Sequence, residues 1–302
     1  MFPVISLGPF NISSLGVFLA AGFLFGVFLI WRLSRAWDLV EEKVLDLTLL
    51  TFFGGLIGAR LYFILENFPL FGTDLSKWIF FHKYQGFSFW GAFLGGYITL
   101  YFFSKKFKIN FWQALDIASV GFLGGLIFGA LGCFLGGCSI GIPSNLFFAL
   151  TFVGVVAKRI PVQIIEASLL TLTLIRIWKF ATHFHITGSV AAVSLIAIGA
   201  IKFTLEPLRD IHEGRALNVI LILMGIIIFY KVTKRKILSD IKAFGLFLIS
   251  LIKDPQLRKK LMMRLGKNWY NYKVNIKWKI RLLVKILRRL NVRFSHKDSK
   301  YY

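Results

Sequence analysis

The chain has 302 residues, 57% hydrophobic and 17% aromatic with 33 Phe, and a mean hydropathy of +0.70. A soluble domain cannot cover that much apolar surface, so the composition excludes an ordinary globular protein and points to a polytopic membrane protein. The formal net charge of +23 suggests nucleic acid at first sight, but Lys231–Tyr302 holds 21 Lys and Arg against 3 acidic residues, whereas the first 230 residues hold 16 against 11. The charge belongs to a tail on a nearly balanced body. No fold-sized unit carries it, which argues against a nucleic-acid partner.

A membrane-crossing helix needs roughly 20 apolar residues. In chain order such runs fall at about 12–32, 45–65, 88–104, 112–136, 161–180, 188–204 and 216–231, which predicts an all-α fold of about seven transmembrane helices. The first run lacks a basic lead-in and is long enough to span, so it reads as a helix and not as a cleaved signal. Basic residues mark alternate connections: Arg32, Arg35 and Lys43; Lys105, Lys106 and Lys108; Arg176 and Lys179; Lys231, Lys234, Arg235 and Lys236. The positive-inside rule puts these in the cytoplasm, the N-terminus outside and the C-terminus inside. The opposite connections are less clean, holding Lys77, Lys83, Lys158, Arg159, Arg209 and Arg215. The expected division is a seven-span body at 1–231 and a basic tail at 232–302. In the tail, Trp269, Tyr270, Trp278, Leu282, Leu283, Ile286 and Leu287 are expected to form an apolar stripe of an amphipathic helix on anionic lipid headgroups.

Ionisable residues inside spans are costly and mark a site or a buried pair. Arg60 lies in "GGLIGARLYF", Gln163 and Glu166 in "IPVQIIEAS", and Lys202, Glu206 and Arg209 in "IKFTLEPLRD". The last three, spaced by four and three, would share one helical face. With the expected topology all six fall toward the outer half, as a polar chamber requires. Asp46 and Asp116 sit near cytoplasmic ends and read as solvated helix starts.

Residues 129–145, "GALGCFLGGCSIGIPSN", hold both cysteines and five of the 27 glycines. Glycines in a membrane helix make a close-packing seam, but the Pro-Ser-Asn ending is not explained by packing. Cys133 and Cys138 would point about 140° apart on a continuous helix, yet could meet in a glycine-rich bend. Free packing thiols, a disulfide on the oxidising side and direct chemistry as a thiolate beside a cation all fit the sequence. Zinc does not, because two thiols without a nearby His fall short of four ligands. No metal and no cofactor is expected.

In their order these segments resemble the prolipoprotein diacylglyceryl transferase family, over about residues 11–230. "GGLIGARLYF" fits the second span. "FSFWGAFLGG" stands where the family has Phe-His-Gly-Gly-Leu. "GALGCFLGGCSIGIPSN" stands at the signature Gly-Arg-x-Gly-Asn-Phe-x-Asn-x-Glu-x-x-Gly, "IPVQIIEAS" at His-Pro-x-Gln-x-x-Glu-Ala, and "IKFTLEPLRD" at Arg-Phe-x-x-Glu-x-x-Arg. Gly129, Gly132, Gly137, Gly141, Phe134 and Pro143 keep the frame. Ala130 replaces the signature arginine, Cys133 and Gly136 the asparagines, Cys138 the glutamate, Trp90 the histidine and Lys202 an arginine.

The resemblance implies transfer of a diacylglyceryl group from phosphatidylglycerol to the thiol of a prolipoprotein's lipobox cysteine, in a bacterial plasma membrane, by a monomer. It implies substrate-binding roles for Arg60, Gln163, Lys202, Arg209, Gly132, Gly137 and Gly141, and catalytic roles for Glu166, Glu206 and Cys138. An arginine fork suits the phosphate and a base suits the thiol proton. The lost Arg and His leave a second reading, an impaired relative that binds lipid or lipoprotein. Solute transport, a third reading, has little support, since no internal repeat of the kind that marks transporters is seen.

Overall fold

The computed structural model describes residues 4–7, 10–72, 74, 77–78, 86–152, 155, 157–210 and 215–298; Lys83 and the side chains of Leu283, Ile286 and Leu287 lie outside that set. The chain divides into two units, Met1–Lys234 and Arg235–Tyr302.

The first unit opens with a hairpin, β1 (Val4–Leu7) and β2 (Phe10–Ser13), paired antiparallel. Its long helices are α1 (Ser14–Ala36), α2 (Glu41–Glu66), α4 (Phe89–Lys106), α5 (Phe111–Gly136), α6 (Val162–Ala181), α7 (Ser189–Leu205) and α8 (Arg215–Thr233), with a short α3 at Phe68–Phe71 after α2. Five are long and apolar enough to cross a membrane: α1, α2, α5, α7 with the turn that follows it, and α8. Helices α4 and α6, of 18 and 20 residues, lie between these in the chain. The fold is that of a helical, polytopic membrane protein. Short strands β3 (Leu150–Thr151) and β4 (Lys158–Arg159) pair antiparallel between α5 and α6.

Glycine decides which helices pair. In lipid there is little hydrophobic drive between helices, so close backbone contact must supply the attraction. A Cβ on Gly26 would come 2.9 Å from the Gly121 carbonyl, and one on Gly22 would meet Phe128, which locks α1 antiparallel against α5. Gly58 faces Gly91 and Gly95, and Gly54 faces Thr99, which locks α2 against α4. Gly199 against Asn218 and Ile222, with Gly225 against Ala192 and Ile196, does the same for α7 and α8. Leu33, Val120, Leu123, Leu170 and Ile198 fill the core between these pairs.

Asp116 departs from the sequence expectation. It is fully buried, and it caps a helix other than its own. Its Oδ2 accepts from Gly188 N at 2.5 Å and its Oδ1 from Ala191 N at 2.7 Å, satisfying orphan amides at the start of α7. The sequence could not reveal this, since 72 residues separate Asp116 from Gly188. Asp46 is exposed, as expected.

Gly58→Val should destabilise the fold, because its Cβ would lie 2.5 Å from the Gly91 carbonyl oxygen and 2.8 Å from Gly95 Cα. A loss of about 1–3 kcal/mol is expected, read as a lower Tm of detergent-solubilised protein. Gly16→Ala, with nothing within 4 Å of its Cβ, should leave Tm unchanged.

Candidate active site

The glycine-rich stretch ends α5 and then runs extended. Helix α5 stops at Gly136, and Gly137 takes φ 76° as the left-handed cap, a conformation glycine adopts without strain. The reversal brings Cys138 N to Cys133 O at 3.0 Å, and the two cysteines are joined in a disulfide with Cα atoms 4.8 Å apart. The expectation of Cys138 as a catalytic thiolate is therefore corrected: its sulfur is bonded and carries no nucleophilic or basic charge.

Residues 140–144 run extended between two other segments, joined to each through an isolated antiparallel bridge, Gly141 to Arg209 and Pro143 to Arg159. Ile142 N donates to Leu208 O and Asp210 N to Ile140 O, both at 2.9 Å, on one side. Ser144 N donates to Lys158 O at 2.9 Å and Ile160 N to Ile142 O at 3.2 Å on the other. Arg159 braces the layer, giving Nη1 to Gly141 O at 3.0 Å and to Asp210 Oδ2 at 2.7 Å. A Cβ on Gly141 would fall 2.2 Å from the Ile160 carbonyl oxygen and 3.1 Å from that of Leu208. Gly132 packs its backbone on Phe18 and Leu15 of α1. Gly132, Gly137 and Gly141, expected at the substrate, are thus spent on packing, capping and backbone pairing.

This layer delivers Arg209 to Glu166. Arg209 Nη2 lies 2.6 Å from Glu166 Oε2, and Lys202 Nζ lies 3.4 Å from Glu166 Oε1. Glu166 and Arg209 are 6% and 4% exposed, so two cations share one carboxylate away from water. Lys202 is the more open of the cations, with its side chain 15% exposed and its Nζ 4.8 Å from the centre of the Phe89 ring. Phe89 in turn stacks edge-on against Trp90 at 5.4 Å. One turn before Glu166, Gln163 donates Nε2 to Cys138 O at 2.7 Å. Gln163 is 1% exposed, and its Oε1 is buried without a hydrogen-bond partner among the described residues.

Two expectations about spacing change. Lys202, Glu206 and Arg209 do not share one helical face, because α7 ends at Leu205 and Pro207 sits in a 3-10 turn at Glu206–Leu208. The tighter turn sends Lys202 and Arg209 to Glu166, while Glu206 Oε2 accepts from Asn218 of α8 at 3.3 Å. Arg60 is the second change. Its guanidinium donates to the carbonyls of Trp78, Lys77 and Gly86 at 3.1, 3.0 and 3.1 Å, over the rings of Phe71 and Phe87. Arg60 clamps the α2–α4 connection, and the permanent cation buried against Glu166 is Arg209.

A cavity of about 710 Å³ opens between α1, α2, α4, α5, α7 and α8. Its apolar lining includes Gly26, Phe52, Ala92, Gly129 and Ile198. Ile198 stands four residues, about one helical turn, from Lys202. Along α5 the lining runs from Leu115 to Gly129, about 21 Å of helix.

The disulfide makes a direct prediction. Denatured protein treated with a thiol-alkylating reagent should gain no label until it is reduced, and then two labels by intact-mass measurement. Labelling without reductant would contradict the pairing of Cys133 with Cys138.

The model of the family described as prolipoprotein diacylglyceryl transferase matches residues 3–249. The chain is 25% identical over 247 residues to the phosphatidylglycerol–prolipoprotein diacylglyceryl transferase of Finegoldia magna, covering 78% of this chain and 98% of that one. It is 28% identical to the enzyme of that name from Bordetella avium, over 76% of this chain and 93% of the relative. With the one from Rickettsia rickettsii it shares 29%, over 74% and 93%. A helical body with spans long and apolar enough to cross a membrane, a layer built on the glycine-rich stretch and a match covering most of the sequence agree: the chain belongs to the prolipoprotein diacylglyceryl transferase family.

Proposed function

We propose that this chain moves a diacylglyceryl group from phosphatidylglycerol to the lipobox cysteine thiol of prolipoproteins, in a bacterial plasma membrane. The observation that carries the reading is the pair of cations on Glu166, one helical turn above an apolar cavity. The cavity takes the acyl chains of the donor, and its size falls in the ordinary range for ligand pockets. Lys202 and Arg209 meet the phosphate. Arg209 stays charged in a low-dielectric site and offers a fork, while Lys202 is a point charge nearer the opening. Both oxygens of Glu166 are engaged by these cations, so its role is to hold them in place.

The sulfur of the substrate thiol attacks the glyceryl carbon bonded to phosphate as its proton passes to a phosphate oxygen of the donor. The C–S bond forms as the C–O bond breaks. Glycerol phosphate leaves with its growing negative charge against Lys202 and Arg209, carrying the thiol proton with it. The unpartnered Oε1 of Gln163 is an acceptor for a hydroxyl or thiol hydrogen of a bound substrate.

The replacements Ala130 and Trp90 favour the second reading, an impaired relative that holds lipid or lipoprotein without transfer. Labelling of a lipobox peptide from phosphatidylglycerol vesicles separates the two. In the transferase reading, wild type labels the peptide. Arg209→Ala and Lys202→Ala then each lose about 100-fold or more in protein whose folded yield is unchanged. Failure of folded wild type to label the peptide supports the second reading. Folded Arg209→Ala that labels at the wild-type rate removes the proposed anion site. Glu166→Gln should also lower the Tm, since it leaves two buried cations uncompensated.

The orientation we infer puts the disulfide and the Glu166 cluster outside and the end of α8 inside. A disulfide persists in the oxidising compartment, and Lys231, Lys234, Arg235 and Lys236 suit the cytoplasmic end. A topology reporter inserted at Ser139 should read external, and one placed after Lys236 should read cytoplasmic. The reverse at either site overturns this orientation.

A further inference from the structure

The second unit contains α9 (Ile237–Lys253) and α10 (Pro255–Asp298). The family match ends at residue 249, and a 247-residue alignment already covers 98% of the Finegoldia magna relative. Helix α10 therefore lies beyond the stretch shared with that enzyme, and the transferase reaction assigns it nothing.

Its charge is unusual in kind as well as amount. Residues 255–297 contain fourteen Lys and Arg and no Asp or Glu. Asp254 stands just before them and is engaged as the helix cap, with Oδ1 accepting from Gln256 N at 2.8 Å and Leu257 N at 3.3 Å. From Lys273 a basic residue recurs at every fourth position, through Lys277, Arg281, Lys285, Arg289 and Arg293 to Lys297. Like charges four apart oppose a helix, so a 44-residue helix of this sequence gains stability where a polyanion neutralises the row.

The apolar positions show what shape that polyanion has. Leu257, Leu261, Trp269, Tyr272 and Ile276 follow intervals of three, four and eight residues, which keep them on one face of a straight helix. Trp269, Tyr272 and Ile276 are 61%, 57% and 38% exposed. The stripe expected from sequence differs: Trp269 and Trp278 are nine residues apart, about 180° around the helix, so they do not share a face. A basic helix with one continuous apolar face fits a flat anionic surface that has an apolar interior beneath it. A nucleic acid offers charge but no layer for the apolar face. Helix α9 joins α10 to the last span by covalent continuity.

We propose that α10 is a surface-seated anchor that folds on anionic lipid headgroups, with its Leu257–Ile276 face sunk to the acyl boundary. The test is peptide-resolved hydrogen–deuterium exchange on the full chain, in nanodiscs of phosphatidylcholine alone and of phosphatidylcholine mixed with phosphatidylglycerol. Amides of residues 257–297 should exchange at least about tenfold more slowly in the anionic discs. High salt should remove that protection by screening, as should Lys277→Gln with Arg281→Gln and Lys285→Gln. Trp269→Ser with Ile276→Ser should reduce it as well. Equal exchange in the two discs overturns the proposal, and so does protection that survives the loss of Trp269 and Ile276. Protection that appears only when structured RNA is added also overturns it and assigns the helix to nucleic acid.

Discussion

A carboxylate buried in a membrane protein is tolerable only if its charge is matched where it stands, and Glu166 sets that requirement here. Its two oxygens face Lys202 and Arg209, which come from the end of α7 and the segment beyond it. Bringing Arg209 into place requires the chain to turn sharply after Leu205 and to run extended beside residues 140–144. That segment can lie there only because Gly141 has no Cβ to strike the Ile160 carbonyl. Its approach is fixed in turn by the reversal at Gly137 and the Cys133–Cys138 disulfide. Removing one partner of such a cluster leaves an uncompensated buried charge, which costs more than the pair ever contributes.

The rest of the body is arranged so that this cluster has a cavity beneath it. Three glycine seams pull α1 onto α5, α2 onto α4 and α7 onto α8. Each pair is close, and the space left between pairs is the apolar cavity. Tight packing within pairs and loose packing between them are two results of the same residue choice. Gly22, Gly26 and Gly121 of the α1–α5 seam also line that cavity. At its N-terminal end α7 is held from α5 by Asp116, so α7 is pinned at both ends, by that cap and by the Lys202–Glu166 pair.

The family's arginine and histidine positions are filled by Ala130 and Trp90, and these changes are not isolated. Ala130 is buried in the core of the helix bundle, where an arginine would need a partner. Trp90 stacks on Phe89, the ring that lies under Lys202. Lys202 and Arg209 stand in the segment that resembles the family's Arg-Phe-x-x-Glu-x-x-Arg, while Ala130 and Trp90 lie in apolar packing.

Sequence by itself determined the helical membrane class, the approximate placement of the long helices, the tail charge and the identity of the charged residues that matter. These follow from local composition: a span is a run of apolar residues, and an ion in such a run must have a partner somewhere. Glu166, Lys202 and Arg209 were legible for that reason. Tertiary structure alone decided who partners whom. It sent Arg60 to loop carbonyls instead of the cluster, separated Glu206 from Lys202 by ending α7 before Pro207, and buried Asp116 against a helix far away in sequence. It also closed the disulfide and laid residues 140–144 extended between Arg159 and Arg209. Each of these depends on contacts between segments tens of residues apart or on a backbone reversal at one glycine, and neither leaves a periodic trace in the order of the amino acids.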